Sequence, residues 1–397
     1  MRTVTLSKSG IQKIRGHAKE LKAADFEESI RSIPPGEWCS FSHPTLSQVW
    51  IGYINPMIED KFICAHLVRA VTKEMVSGFK IESLIEEILV SAFKRRALFK
   101  DYATNARLFF GTFDGLTGLI IDGFGDKAII QINTAGIDKY RELIKDITQK
   151  YIHGKSYFLD NAKYREKEFL PIHEVDRLPV LDIVENGIRF SLRPEVLQKV
   201  GFYYDHRENR KQLNYLLARL NQCPQSAVDL FCYLGAWGMN ALSHGVKHCD
   251  FVDQGDFSHE FVQSLELNKL QGRGTFIRQD VFKFLDEKIA QGHSYDLILC
   301  DPPAFAKNPT QKNQAVEGYN KLHRKVFKIA SKGSIVAFSS CTHYVTSDEF
   351  QKTILDSAFK EGRKIQLLHQ GVQGWDHPFS HLSDRGNYIK SFFYYTE

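Results

Sequence analysis

The carboxyl-terminal half of the chain alternates short apolar runs with segments whose apolar residues recur at helical spacing. Strands are predicted at residues 226–232, 248–253, 274–278, 295–300 and 334–339. Helices are predicted at residues 236–244, 257–270, 281–290, 315–331 and 347–360. This alternation is typical of a doubly wound parallel sheet, an α/β fold. The apolar tail at residues 388–395 follows a long loop and is predicted to add an antiparallel edge strand.

The amino-terminal half has a different pattern. Residues 1–70 are predicted to form short β segments, and the apolar spacing between Gly78 and about Asp101 predicts a helix. Further predicted elements are strands at 49–54, 62–68 and 156–159, strands over 107–135 with turns at Asp114-Gly115 and Asp122-Gly123, and a helix at 137–150. We therefore predict three domains: a β module (1–72), a small α+β module (73–176) and the α/β module (177–397).

Composition narrows the class of protein. The chain has 397 residues, of which 43% are hydrophobic and 25% charged, as in globular proteins of more than one domain. Lys and Arg exceed Asp and Glu by 52 to 47, and residues 1–100 hold 15 basic and 11 acidic side chains. This mild excess permits nucleic-acid binding, and an ordinary solvated surface explains it equally well.

Cysteine usage and hydropathy suggest the compartment. The seven cysteines are scattered and form no Cys-x-x-Cys pair, so neither a zinc site nor a disulfide framework is expected. No apolar stretch of about 18 residues occurs, so no membrane-spanning helix is expected. These features favour a cytoplasmic protein without a bound metal.

The turn after the first strand of the α/β module is a candidate cofactor site. Gly235 and Gly238 allow a tight turn close to a ligand, but the turn lacks the full phosphate fingerprint of dinucleotide-binding proteins. Asp253 ends the second strand, where it could bind a ribose, and Asp280 ends the third, where it could bind an adenine amine. These features favour S-adenosylmethionine over a dinucleotide.

Two further strand ends carry reactive groups. Asp301 and the rigid turn at Pro302-Pro303 end one apolar strand, and Cys341 follows the next. A thiolate can add to carbon 6 of a pyrimidine, and a carboxyl group can stabilise charge that develops in the ring. Cys341 could instead be a buried apolar residue. Cys300 is predicted to lie in the core, and Cys232 to line the cofactor.

With these residues, the chain resembles the bacterial large-subunit ribosomal RNA cytosine-5 methyltransferases that carry an amino-terminal PUA domain. The segments that carry the resemblance are Asp114–Asp122, Gly201–Arg207, Leu267–Leu270, Asp280–Phe282, Asp301–Phe305, Cys341 with Thr346–Asp348, and Asp376–Pro378. The sequence departs from the family pattern at Ala304, where Lys is usual, and at His206, where Gln is common.

The resemblance implies a class I methyltransferase fold that uses S-adenosylmethionine, preceded by a PUA-like module and a small α+β module. It implies that Cys341 is the nucleophile. The residues that it places on the cofactor rim are Phe231, Tyr233, Gly235, Asp253, Asp280 and Asp301. The residues expected to line the cofactor or the target base are Tyr204, Asp205, Arg207, Pro302 and Pro303.

We therefore predict methyl transfer to C5 of a cytosine in RNA, with ribosomal RNA as the expected partner and Asp301 assisting Cys341. One alternative is an RNA methyltransferase that modifies an exocyclic amine and needs no cysteine. Another is a non-catalytic RNA-binding protein that retains the fold. No membrane partner is expected, and a homodimer is compatible with the sequence although no residue pattern specifies it.

Overall fold

The computed structural model describes residues 1–160, 162–172, 177–197, 201–382 and 386–397. The chain divides into two compact units, Met1–Leu178 and Pro179–Glu397. The predicted domain boundary at residue 176 lies outside the described residues. Within the described ranges, no helix has both the length and the apolar composition needed to cross a membrane.

The first unit contains two sheets. The first has the order β1-β3-β4-β5-β2 and the second the order β6-β7-β8-β9. The strands are β1 (Arg2–Thr5), β2 (Glu20–Leu21), β3 (Glu37–Ser42), β4 (Val49–Ile54), β5 (Ala65–Val71), β6 (Asn105–Phe110), β7 (Leu119–Phe124), β8 (Lys127–Ile132) and β9 (Lys155–Phe158). The helices are α1 (Lys8–Arg15), α2 (Ile81–Ala97), α3 (Gly111–Asp114), α4 (Ala135–Asp138), α5 (Arg141–Ile152) and α6 (Ala162–Lys167).

The two predicted amino-terminal modules pack against each other within this unit. Trp38 of β3 and Tyr53 of β4 belong to the same buried apolar cluster as Leu84 of α2. Hydrogen bonds also join the modules, since Trp38 Nε1 donates to the Gly136 carbonyl at 2.9 Å and the Tyr53 hydroxyl to the Thr117 carbonyl at 2.6 Å. The proposed division at residues 72 and 73 stays a prediction.

Two local predictions in this unit were wrong. Residues 1–70 contain α1 as well as strands; this short helix begins after Ser7, whose hydroxyl accepts a hydrogen bond from the Gly10 amide. The Asp122-Gly123 pair lies inside β7, and the chain turns instead between β7 and β8. A Cβ at position 123 would come within 2.5 Å of the Thr104 carbonyl oxygen, so the glycine serves close packing and not a turn.

The second unit is built on a seven-stranded sheet of order β14-β13-β12-β15-β16-β18-β17 and a β10-β11 hairpin. The strands are β10 (Leu181–Glu185), β11 (Ile188–Leu192), β12 (Ser226–Leu230), β13 (His248–Asp253), β14 (Gly274–Arg278), β15 (Tyr295–Cys300), β16 (Ala330–Ser340), β17 (Ile365–Gly371) and β18 (Lys390–Thr396). The helices are α7 (Arg207–Leu217), α8 (Ala236–Ser243), α9 (Ser258–Leu267), α10 (Val281–Ala290), α11 (Lys312–Lys328) and α12 (Ser347–Lys360).

The α/β prediction is confirmed, with one correction at the end of the chain. Strand β18 is antiparallel, as expected, but it lies between β16 and β17 and is not an edge strand. Its consecutive apolar residues Phe392, Phe393 and Tyr394 are all buried, as in a strand that is covered on both faces. The edge strand at this end of the sheet is β17, whose leucines Leu367 and Leu368 are exposed.

Candidate active site at the carboxyl edge of the seven-stranded sheet

The site forms where the strand order reverses, because the first strand β12 pairs in parallel with both β13 and β15. Leu230 lies opposite Val252 on one side and Cys300 on the other. The residues that follow these strands therefore emerge together at one edge of the sheet. Such a switch point is where open α/β sheets bind ligands.

The chain after β12 has an unusual backbone. Phe231 and Tyr233 have φ angles of 62° and 50°, and Gly235 has a φ of 74°. The left-handed region is costly for residues with side chains, and such strain concentrates at functional sites. A Cβ at position 235 would lie 2.8 Å from the Phe251 ring, so glycine is required there for two reasons.

Asp253 fixes this turn. One carboxylate oxygen accepts a hydrogen bond from the Tyr233 amide at 3.0 Å, and the other accepts one from the Gly255 amide at 2.8 Å. A carboxylate oxygen has more than one lone pair, so Asp253, which is partly exposed, can still accept hydrogen bonds from ribose hydroxyls. We name the turn Asp229–Gly238 together with Asp253 the cofactor half of the site.

Asp229, at the end of β12, is buried at the base of this half. Its Oδ2 accepts a hydrogen bond from the Gly238 amide at 2.8 Å, and its buried Oδ1 has no hydrogen-bond partner. Burial raises the pKa of this carboxyl group well above its ordinary value. A buried polar atom without a partner is expected where a ligand or an ordered water completes the site. The residues present thus fit a nucleoside cofactor that carries further polar groups.

Asp280 is placed differently from the other strand-end acids. It is exposed and is the N-cap residue of α10, where its carboxylate accepts a hydrogen bond from the Lys283 amide at 3.1 Å. Helix capping alone therefore explains why an acidic residue occurs at this position. Its predicted contact with adenine stays a prediction.

Asp301 is held by two aromatic side chains at the end of β15. The indole Nε1 of Trp237 donates a hydrogen bond to Asp301 Oδ2 at 3.0 Å. His206 Nε2 lies 3.4 Å from Oδ1, which is an electrostatic contact and not a well-formed hydrogen bond. The Asp301 side chain keeps 22% of its surface exposed, so the carboxyl group can reach a ligand. Of the turn that follows, Pro302 is buried and Pro303 exposed.

The buried imidazole of His206 responds to this carboxylate. Burial is the largest single influence and lowers the pKa of His206, but the interactions with Asp301 and Asp205 together outweigh it, and the net pKa is raised. Asp205 adds to the rise, and Arg210 opposes it. His206 was noted in the sequence only as a departure from the family pattern; its contact with Asp301 needs the folded chain.

Cys341 directly follows β16 and is partly exposed. Strand β16 neighbours β15, with Cys300 opposite Phe338, so the thiol and Asp301 follow adjacent parallel strands. By contrast, Cys232 and Cys300 are buried, and burial raises the pKa of both thiols well above its ordinary value. The prediction that Cys300 lies in the core is confirmed.

Two further side chains lie near Cys341: Tyr203, which was predicted only as part of the Gly201–Arg207 segment, and Lys390, which was not predicted as a site residue. The pKa of Tyr203 is raised mainly by burial and then by the negative charges of Asp205 and Cys341, so its phenol lies within electrostatic range of the sulfur. Lys390, the first residue of β18, is buried and donates hydrogen bonds to the carbonyls of Thr342 and Tyr388. We name Cys341, Tyr203 and Lys390 the chemical half of the site.

Tyr204, Asp205 and Arg207, which were predicted to line the cofactor or the target base, are buried. Asp205 is buried and accepts a hydrogen bond from the Tyr388 hydroxyl at 2.8 Å. Tyr204 is buried beneath Arg207, whose guanidinium lies 4.9 Å from the centre of the ring and 3.6 Å from Glu185. These contacts give Tyr204 and Arg207 a packing role, and their predicted contact with a ligand stays a prediction.

Comparisons with known proteins agree with this geometry. A family model for S-adenosylmethionine-dependent methyltransferases matches residues 148–358. The chain is 33% identical to the ribosomal RNA large subunit methyltransferase I of an Escherichia coli O1:K1 strain, over 74% of this chain and 75% of the relative. It is 30% identical to the protein of the same name from Tolumonas auensis, over 96% and 92%.

Two solved structures share the fold over the full length of both chains. One is described as a candidate S-adenosylmethionine-dependent methyltransferase from Streptococcus mutans, with a TM-score of 0.74 and 18% identity. The other is a candidate methyltransferase solved with S-adenosylhomocysteine, with a TM-score of 0.75 and 19% identity. The matched family and the relatives show that this chain belongs to the S-adenosylmethionine-dependent methyltransferase family and uses S-adenosylmethionine as its cofactor.

Proposed function

We propose that this protein transfers a methyl group from S-adenosylmethionine to C5 of a cytosine in RNA, with Cys341 forming a covalent adduct at C6. The observation that carries this proposal is the partly exposed thiol at the end of β16, beside the strand that ends in Asp301. The names of the relatives in Escherichia coli and Tolumonas auensis support ribosomal RNA as the substrate.

The reaction needs a nucleophile from the protein because C5 of cytosine is by itself a poor nucleophile. Addition of the Cys341 thiolate to C6 shifts the electron pair of the C5–C6 double bond to C5, which can then take the methyl group that the cofactor supplies. Loss of the C5 proton to a base then restores the double bond and releases the sulfur. A thiol suits this cycle because its thiolate is a strong nucleophile that is accessible near neutral pH.

Asp301 is the group we propose to stabilise the ring during this addition. Its carboxyl group is partly exposed, and Trp237 and His206 fix its orientation. The Asp301 carboxylate can accept a hydrogen bond from a protonated ring nitrogen N3 and so stabilise the charge that develops in the ring as the thiolate adds. A group that is already oriented lowers the barrier without further reorganisation.

RNA recognition is assigned to Lys and Arg side chains that contact phosphates, with the target base unstacked into the site. We propose that residues 1–72 form a divergent PUA-like module that contributes to this contact. Their five-stranded sheet and the mild basic excess of residues 1–100 support the assignment. Such an enzyme would act in the cytoplasm, where ribosomal RNA is available.

The test is replacement of Cys341 by alanine. C341A should lower 5-methylcytosine formation at least about 10⁴-fold, because the adduct cannot form, while S-adenosylmethionine binding is retained. The measurement is mass spectrometry of nucleosides from ribosomal RNA incubated with the enzyme and cofactor. Cys223 provides the matched control, since it precedes β12 at the opposite edge of the sheet, and C223A should keep full activity.

A second measurement tests the adduct directly. RNA that carries 5-fluorocytosine has no C5 proton to lose, so the wild-type protein should accumulate a covalent complex that survives denaturing electrophoresis, and C341A should not. Full activity of C341A would refute the cysteine mechanism. A methylated exocyclic amine as the product would then support the alternative that uses the Asp301 turn alone.

A further inference from the structure

Lys390 occupies a core position of strand β18. Alternate residues of a strand face the same side of the sheet, and Lys390 shares its side with Phe392 and Tyr394, which both belong to the buried apolar cluster. The lysine is itself only 7% exposed. Lysine is almost never buried to this degree unless its charge has a partner.

The amine has neutral partners. It donates to the carbonyl oxygens of Thr342 and Tyr388, the second at 3.2 Å. Among the residues that the structure describes, no carboxylate oxygen lies within 4.0 Å of it. A buried ammonium ion that meets only carbonyls is unfavourable, because carbonyl dipoles replace water incompletely. A negative charge near the amine would favour its charged form.

Cys341 lies where its negative charge can favour the charged form of the Lys390 amine. Lys390 pairs with Ser340, the residue before the cysteine, and its amine binds the carbonyl of Thr342, the residue after it. Burial lowers the pKa of Lys390 to about 8, and the negative charge of Cys341 is the strongest opposing influence. A neutral amine and a thiol that lie close together can exchange one proton between them.

We propose that Lys390 is the positioning residue that holds Cys341 as a thiolate and fixes the backbone on both sides of its sulfur. The proposal rests on the proposed role of Cys341 as the nucleophile. In this step the proton leaves the Cys341 sulfur and binds the Lys390 nitrogen, which gives a thiolate and an ammonium ion with no net change in charge. When the sulfur then bonds to C6, the ammonium stays as the counter-charge beside it.

The two phenols near the sulfur and the carboxylate of Glu349 do not supply this positive charge. Tyr203 and Tyr319 lie within electrostatic range of the sulfur, and burial raises the pKa of both phenols, so they are neutral near pH 7. Glu349, the next charge that acts on Lys390, forms an ion pair with Lys312 at 2.6 Å and caps α12 through the Thr346 amide.

The experiment follows alkylation of Cys341 by iodoacetamide as a function of pH in the full-length protein. Mass spectrometry of the tryptic peptide that contains residue 341 gives the labelling rate at this site alone. K390M removes both the charge and the donors, whereas K390Q removes the charge and keeps an N–H donor. In both variants the midpoint of alkylation should rise by about one pH unit, which lowers labelling at neutral pH about tenfold.

K390R keeps the charge and should label within about threefold of the wild type. Lys352 provides the matched control, since it is exposed and pairs with Asp356, and K352M removes a charge from the same unit. It should leave the labelling profile unchanged. Thermal unfolding and S-adenosylmethionine binding identify any variant that fails to fold, and K390Q then replaces K390M as the deciding variant.

A wild-type alkylation profile in folded K390Q would overturn the inference, even if C341A proves inactive. Conversely, a shifted profile together with an active C341A would uphold the Lys390–Cys341 pair and refute the cysteine mechanism. The two failures are therefore distinguishable.

Discussion

The two halves of the site are built in different ways. In the cofactor half, one continuous segment supplies the turn, and the Asp253 carboxylate is fixed by backbone amides at 3.0 and 2.8 Å. In the chemical half, Tyr203, Cys341 and Lys390 come from parts of the chain that are far apart in sequence. The first half is a local arrangement that a motif can encode, whereas the second exists only when β18 pairs with β16.

Asp301 contacts Trp237 of the cofactor half and follows the strand next to that of Cys341, and its replacement should have the largest effect after that of Cys341. D301N keeps the size of the side chain and an oxygen that can accept from Trp237, but it has no negative charge to stabilise the protonated base. We expect the turnover number to fall about 100-fold or more, which corresponds to about 3 kcal/mol of lost transition-state stabilisation. Steady-state methylation kinetics with ribosomal RNA measure this loss.

The matched control is D296N, a change at the opposite end of the same strand, where Asp296 accepts hydrogen bonds from the Gln225 and Ser226 amides. It should affect stability but not the turnover of folded protein. If D301N kept wild-type turnover, Asp301 would belong to the cofactor half alone.

Replacement of Asp253 and of Asp280 tests whether each of these strand-end acids contributes to cofactor binding. D253A removes the acceptor for two backbone amides, and S-adenosylmethionine affinity should fall about 10- to 100-fold because the turn loses its support. D280S keeps a side chain that can cap α10 but is too short to reach a nucleobase. Isothermal titration calorimetry measures both affinities.

If Asp280 binds the adenine amine as proposed, D280S should weaken cofactor binding about fivefold while unfolding stability stays close to that of the wild type. Unchanged affinity in D280S would leave Asp280 with the capping role alone. Wild-type affinity in D253A would show that the turn does not depend on this carboxylate.

His206 should give the smallest effect, visible in the pH dependence of stability. Because its pKa is raised in the folded protein, protonated His206 stabilises the fold fully below its unfolded pKa near 6.5, and this contribution is lost as pH rises through the folded value. H206Q should therefore lower the melting temperature by about 2–4 °C near pH 6 and by less near pH 9.

Calorimetric unfolding at the two pH values measures this difference. The control is H259Q, because His259 is exposed on α9. Equal destabilisation of H206Q at both pH values would mean that His206 acts through packing and not through its charge beside Asp301.

Much of the second unit was predictable from sequence. The predicted strand at 248–253 and the predicted helix at 281–290 coincide with β13 and α10, because each has a clear apolar period and a turn residue at its ends. The same logic missed α1, in which Ile11 and Ile14 are the only large apolar side chains and form a single helical spacing. The prediction that β18 is an edge strand was wrong because the apolar pattern of β17 is weak, and β17 was therefore not predicted as a strand.

The amino-acid sequence specifies the types of group at the strand ends: the glycine turn, the acids and the thiol of Cys341. It could do so because parallel strands align their carboxyl ends, so local patterns alone place these residues at one edge. The folded chain sets which of these groups lie together. It buried Lys390 beside Cys341 and set His206 against Asp301, and it left Asp280 exposed, because burial and long-range charge depend on neighbours that no local pattern specifies.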